Sequence, residues 1–197
     1  MKLPNPKFVG TMSVEECMSK RRSTRSFSKR KLNWDEIGQL LWAGQGITLK
    51  FDHGPHTLRT SPSAGATFPM ELYIVMNKGL FHYIPQDHAV DLITDQDLTN
   101  GLNEACYQQE CVSTASVNFI ICAIEERIFP RYGERGLRYI DMEAGHIAQN
   151  IHLQAVALNL GSVPVGAFDE SVAKIALSSF FPQNTNPVYI LSVGEIK

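Results

Sequence analysis

Only four cysteines occur in the chain, at positions 17, 106, 111 and 122, and no two form a Cys-x-x-Cys pair. Spacing therefore indicates neither a zinc site nor a disulfide framework, and four free thiols packed as small hydrophobes in a reducing compartment are expected. Cys122, inside an apolar run, is expected in the core. An excess of one charge is also missing. A formal net charge of -2 argues against wholesale binding to nucleic acid or to an anionic membrane, since both require a broad surplus of Lys and Arg. The longest apolar runs, such as 117–124, fall far short of the roughly 20 residues of a membrane span, and no charged-then-apolar leader opens the chain. A cytoplasmic location is the expectation. Gly44-Gln-Gly46 follows a helical pattern and lacks a third glycine, so a Rossmann fingerprint is absent. Without Gly-x-Ser-x-Gly or a Walker run, the usual hydrolase and nucleotide-hydrolysing readings fall away.

No repeat, linker or low-complexity tract interrupts the 197 residues, of which 44% are hydrophobic and 19% charged. One globular domain over 1–197 follows. Ser13-Val-Glu-Glu16 has capping-box form and predicts a short helix before a basic stretch; Asn33 and Glu36 repeat the signal for a helix running to Gly44 or Gly46. Residues 50–69 read as a long loop rich in Gly, Pro, Ser and Thr. Two strands, 71–76 and 80–84, flank an Asn77-Lys-Gly79 turn. A helix near 95–111 leads into 117–124, a buried central strand, and 187–193 reads as the last strand. A helix over 138–160, capped by Gly161, carries two apolar stripes, Ile140/Ala144/Ile147/Ala148/Ile151/Ala155/Leu158 and Leu153/Val156/Ala157/Leu160, which predicts burial on two sides.

Twelve residues, 20–31, hold seven of the eighteen Lys and Arg residues and no acid. Within them Arg-x-Ser-x-Arg suits one terminal phosphate, because guanidinium forks match phosphate oxygens two at a time and a hydroxyl adds a donor. The alternative is a solvated basic surface segment. Thr60-Ser-Pro-Ser-Ala-Gly-Ala66 lets backbone approach a flat ligand, as many turns would. Gly166, in Ser162-Val-Pro-Val-Gly-Ala-Phe-Asp169, offers a backbone N–H without Cβ obstruction, and Asp169 is a candidate cap for a helix over 172–177. Glu143 and His146 have the spacing of a di-iron ligand pair, but no second copy accompanies them, so a polar pair at a dimer contact or pocket is preferred. His53 and His56 lack partner ligands.

Arg21-Arg-Ser-Thr-Arg25 with Phe27, Ser61-Pro-Ser-Ala-Gly-Ala66 with Pro69, Glu71 and Tyr73, Tyr132-Gly-x-Arg-Gly-x-Arg-Tyr139 running into Glu143-Ala-Gly-His-x-Ala-Gln-Asn150, and Gly161 with Gly166-Ala-Phe168 together resemble the nitroreductase family. The likeness covers nearly the whole chain in order. It is nearest to the subgroup of SagB-type azoline dehydrogenases, whose hairpin Leu80-Phe-His-Tyr83 with Pro85 and His88 resembles. The resemblance implies an α+β fold with a mostly antiparallel central sheet flanked by helices, and an intertwined homodimer with FMN between subunits. The terminal strand is a candidate for crossing to the partner.

By the same resemblance, Arg21, Arg22, Ser23 and Arg25 would bind the phosphate, ribityl chain and pyrimidine edge. Pro62, Ser63, Ala64 and Gly65 would come from the other subunit. Pro164, Val165 and Gly166 would pack behind the ring, and Gln108 or Gln109 would bring an amide to it. The sequence closes on Gly194-Glu-Ile-Lys197, without the basic tail of many relatives, so more falls to Arg21 and Arg25, or to Arg131, Arg135 or Arg138. The implied activity is ping-pong two-electron transfer from transient NAD(P)H to a nitroaromatic, a quinone or a similar acceptor. An azoline dehydrogenase and a non-catalytic FMN-binding module are the alternatives. No protein nucleophile is required and no catalytic residue is assigned, with Tyr139 and His146 as candidate proton donors. A nucleic-acid binder is disfavoured, because aromatic residues are not interleaved through 20–31.

Overall fold

Ser13 and Asn33 start helices through the oxygen each offers to an orphaned backbone N–H. In the computed structural model, which describes residues 1–51, 57–171, 173, 180–182 and 184–197, Ser13 Oγ accepts from Glu16 N–H at the head of α1 (Val14–Lys20). Asn33 and Glu36 form the full reciprocal box at the head of α2 (Trp34–Gln45), which stops at Gly46. His53, His56 and most of the expected helix over 172–177 lie outside the described residues.

β1 (Ile47–Lys50) and β2 (Thr57–Arg59) pair antiparallel, so the expected loop of 50–69 carries strand at both flanks of its first half. A six-stranded sheet follows, built from β3 (Met70–Met76), β4 (Gly79–Ile84), β5 (Ala89–Thr94), β6 (Val117–Ala123), β7 (Leu160–Val165) and β8 (Asn186–Glu195). Its order is β5-β4-β3-β6-β8-β7, antiparallel at every pairing. Every residue of β6 is buried, as its unbroken apolar run predicts.

The two-residue period of the strands sorts side chains onto two faces. Leu72, Ile74, Phe119, Ile121, Leu191 and Val193 face a core shared with α2 and with α6 (Arg135–Ala157). Tyr73, Val75, Ile120, Cys122 and Ile190 face a second core under α3 (Thr99–Ala105) and α4 (Glu110–Thr114). All four cysteines are buried and free. No helix among the described residues is long and apolar enough to cross a membrane.

Several expectations are corrected. The helix expected near 95–111 is split into α3 and α4, because Tyr107 and Gln108 take left-handed backbone between them. β5 was not anticipated, since Leu92 and Ile93 are exposed and give no simple alternation. The long helix begins at Arg135, after the short α5 (Phe129–Tyr132), and ends at Ala157. Asn159, at φ 58°, takes the left-handed turn that ends it. Gly161 is therefore not its cap but an interior residue of β7, and Leu160 opens that strand instead of extending a helical stripe. Only the first apolar stripe of α6 is fully buried except at Leu158; Leu153, Val156 and Ala157 are half-buried. β8 pairs with β6 and β7 of its own chain, so residues 186–195 do not cross to a partner.

Candidate functional site

The basic segment is not a free loop. Thr24 N–H donates to Ser162 O at 3.0 Å and Ser28 N–H to Glu195 O at 2.9 Å, so residues 23–28 run along the β7 edge and the end of β8. Two glycines admit it. A Cβ at Gly161 would stand 2.7 Å from the Thr24 side chain, and one at Gly194 would stand 2.8 Å from Phe27, which is buried beneath the segment. Lys20 pairs with Glu16, and Arg30 with Glu36 and Glu195. Among the described residues no acid pairs with Arg21, Arg22 or Arg25. Arg22 turns back onto the carbonyls of Ser19 and Arg21, and Arg21 Nη1 donates to His152 Nε2 at 3.0 Å. Lys197 reaches Ser26 and Glu110, which brings one more cation to this edge.

Pro164, Val165 and Gly166 lie where β7 leaves the sheet, on the strand that carries Ser162. Gly166 is exposed, its φ is ordinary, and among the described residues a Cβ there would meet only Tyr189 Cε2 at 3.6 Å. Among the described residues nothing in the packing requires glycine at this position. Gln109 Nε2 donates to Ala167 O at 2.9 Å and ties the head of α4 to the end of this segment; Gln108 is exposed. The fold thus gathers Arg21, Ser23, Arg25, Pro164–Gly166 and Gln109 along one edge of the sheet.

Pro62, Ser63, Ala64 and Gly65 belong to a different neighbourhood. Ser61 Oγ donates to Gly44 O, and Asn150 Nδ2 donates to Thr60 O and Ser61 Oγ. Gly65 has φ 60° and accepts from Arg131 Nη1 at 3.2 Å, so Arg131 serves this turn and not the basic segment. Beneath it lies Glu143 of α6, 2% exposed. Neither carboxyl oxygen has a hydrogen-bond partner among the described residues, although Ser63, Gln45 and Arg59 are near. Burial pushes this carboxyl up to about 7, with those neighbours offsetting part of the rise. Gln45 Nε2 and Arg59 Nε have no partner among the described residues either. His146, by contrast, is exposed, so the expected Glu143–His146 pair diverges. Tyr139 stands edge-on to Tyr132 at 5.0 Å.

These two groups flank α6 from different sides. Glu143 and Asn150, seven residues apart, face the 60–65 segment. His152, about 200° round the helix from Asn150, faces Arg21. With its side chains a helix is about 10 Å across, so one chain does not bring the two groups together. A cavity of about 370 Å³, lined among others by Arg59, Phe68, Glu71, His82 and Arg127, lies apart from the basic edge. There Glu71 joins His82 and Arg127 at 2.5 Å each. Burial opposes the Glu71 charge, but those two partners outweigh it and hold the carboxyl below its ordinary range. Sequence reasoning saw Glu71 and His82 only as parts of a resemblance, because a strand pattern does not reveal which polar residues meet across a hairpin.

A family model described as "Nitroreductase family" matches residues 18–195. A protein of Methanocaldococcus jannaschii described as a nitroreductase is 36% identical over 187 residues, spanning 91% of this chain and 92% of that protein. The trifolitoxin-processing protein TfxB of Rhizobium leguminosarum bv. trifolii is 28% identical over 137 residues, 64% of this chain and 36% of that longer protein. A solved structure from Ralstonia eutropha JMP134, described as a nitroreductase, shares the fold with a TM-score of 0.88 at 24% identity, covering 100% of this chain and 89% of that one.

Proposed function

The chain belongs to the nitroreductase family, and on that premise we propose that it is an FMN-dependent oxidoreductase acting as a cytoplasmic homodimer of one FMN-binding domain per chain. It takes two electrons from NAD(P)H and delivers them to a small organic acceptor such as a nitroaromatic or quinone. Bound FMN supplies the two-electron chemistry, and the protein supplies position, water exclusion and hydrogen-bond donors.

The residues present fit such a group. Arg21, Arg22 and Arg25 are cations with no acid partner among the described residues and stand beside Ser23, a donor set suited to a phosphate monoester. Gly166 leaves open a place that a side chain would fill. In this reading Arg21, Arg22, Ser23 and Arg25 bind the phosphate, ribityl chain and pyrimidine edge. Pro164, Val165 and Gly166 back the ring. Gln109 holds the end of β7 in place, and Gln108 offers an exposed amide. Pro62, Ser63, Ala64 and Gly65 of a second copy close the site. Donor and acceptor use the remaining open face in turn, which gives ping-pong kinetics without a protein nucleophile.

The observation that carries this reading is the separation across α6. The two sets of family-like residues lie on different sides of one helix, an arrangement that makes a complete site only when two chains combine. The test is the colour and released cofactor of the purified protein. FMN and not FAD is expected, and Arg21→Ala should weaken its binding by about 1.5 to 3 kcal/mol. A wild-type protein that neither carries nor takes up FMN would sink the proposal.

A second reading, an azoline dehydrogenase that oxidises a peptide-derived ring, is favoured by the similarity to the trifolitoxin-processing protein, which covers 64% of this chain. It keeps the same FMN site. Flavin reduced by dithionite but by neither nicotinamide would move the weight to this reading or to a non-catalytic FMN module.

A further inference from the structure

One residue, Ser162, holds the basic segment at two points. Its carbonyl accepts from Thr24 N–H at 3.0 Å, and its hydroxyl meets His152 Nδ1, while Nε2 of the same ring meets Arg21 Nη1 at 3.0 Å. A guanidinium can only donate, so Nε2 must be the acceptor and Nδ1 must carry the proton, donated to Ser162 Oγ. Both His152 and Ser162 are closed to solvent, at 3% and 1% exposure. The ring belongs to α6 and the serine to β7, so two rigid elements fix the direction of one side chain.

The acceptor's chemistry matters. An Asp or Glu at 152 would also bind Arg21, but it would cancel the guanidinium charge and compete with an incoming anion. A neutral imidazole takes one N–H and leaves the full positive charge, with the remaining donors, for the ligand. Burial first, and the Arg21 charge second, hold the His152 imidazole down to about 4, so it stays neutral at ordinary pH. Fixing the long side chain in advance also lowers the entropy lost when an anion binds.

We propose that His152, held by Ser162, is a positioning residue that aims the Arg21 guanidinium at the phosphate of the bound cofactor while leaving its charge uncompensated. This rests on the FMN reading above.

The test measures FMN dissociation constants by flavin fluorescence for the full chain and its variants, beside thermal unfolding. His152→Leu removes the acceptor and should weaken FMN roughly tenfold, whereas His152→Gln restores an acceptor and should bind within about threefold of wild type. His152→Glu restores an acceptor but neutralises Arg21, and should bind as weakly as His152→Leu. In the Arg21→Ala background, His152→Leu should cost nothing further, because it acts only through Arg21. Additive losses in that double variant, or wild-type affinity in His152→Glu, would overturn the positioning role. Wild-type affinity in Arg21→Ala itself would instead overturn the assignment of Arg21 to the cofactor. Should His152→Leu fail to fold, the contrast between His152→Gln and His152→Glu still decides.

Discussion

Glu143 sits in an environment at odds with its chemistry: an acid enclosed on α6 beneath the 60–65 turn, with no hydrogen-bond partner among the described residues. Its carboxyl is raised from an ordinary 4.5 to about 7, burial being the main cause. The folded protein therefore holds this proton more tightly than the unfolded chain. The stability it contributes is fully present below about pH 4.5 and is lost as pH rises through about 7. The total is on the order of 3 kcal/mol. Glu143→Gln should remove that slope and melt at a higher temperature than wild type at pH 8, with little difference at pH 4.5. Melting temperatures that change with pH in the same way for both proteins would refute this assignment. The Arg-x-Ser-x-Arg pattern was legible as an anion candidate, because its donors are local in sequence. His152 was not, since a buried histidine on an apolar face gives no sign of the distant arginine it accepts from. Glu143 was noticed for its spacing to His146, but its neighbours are Ser63, Gln45 and Arg59, and His146 is exposed.

At the scale of elements, capping signals and apolar runs were read well: α1, α2, the β3–β4 hairpin, β6 and β8 appear where Ser13, Asn33, the Asn77-Lys-Gly79 turn and the runs at 117–124 and 187–193 place them. β7 was missed. Its start at Leu160 continues the helical stripe of α6 without a break, and Gly161 has the look of a cap while its real constraint is Thr24, far away in sequence. That difference is measurable. Gly161→Ala drives a Cβ to 2.7 Å from Thr24; it should destabilise the fold by about 1 to 3 kcal/mol and loosen residues 23–28, weakening FMN at the same time. Gly166→Val has, among the described residues, only Tyr189 nearby, at 3.6 Å. It should leave the melting temperature almost unchanged and still weaken FMN, because the space it fills is the one proposed for the cofactor. Equal destabilisation by both substitutions would contradict the distinction.

At the scale of the whole molecule, the account requires two chains. The side of α6 turned from the sheet exposes Arg138, Met142, Gly145, His146 and Gln149, and a Cβ at Gly145 would have nothing within 4 Å among the described residues. A homodimer burying more than about 2,000 Å² is expected by light scattering at micromolar concentration. Gly145→Arg should not harm the single chain and even favours the helix by about 0.8 kcal/mol, yet it should break the dimer and release FMN together. Retention of flavin by a Gly145→Arg monomer would show that one chain suffices.

The central claim, that this is an FMN oxidoreductase driven by a nicotinamide, is met most directly by an anaerobic absorbance titration of the purified protein. The account predicts a yellow protein whose flavin band bleaches on addition of NADPH or NADH and returns when a quinone or nitroaromatic is added. A flavin band that neither nicotinamide changes, in a protein that dithionite does bleach, would contradict it.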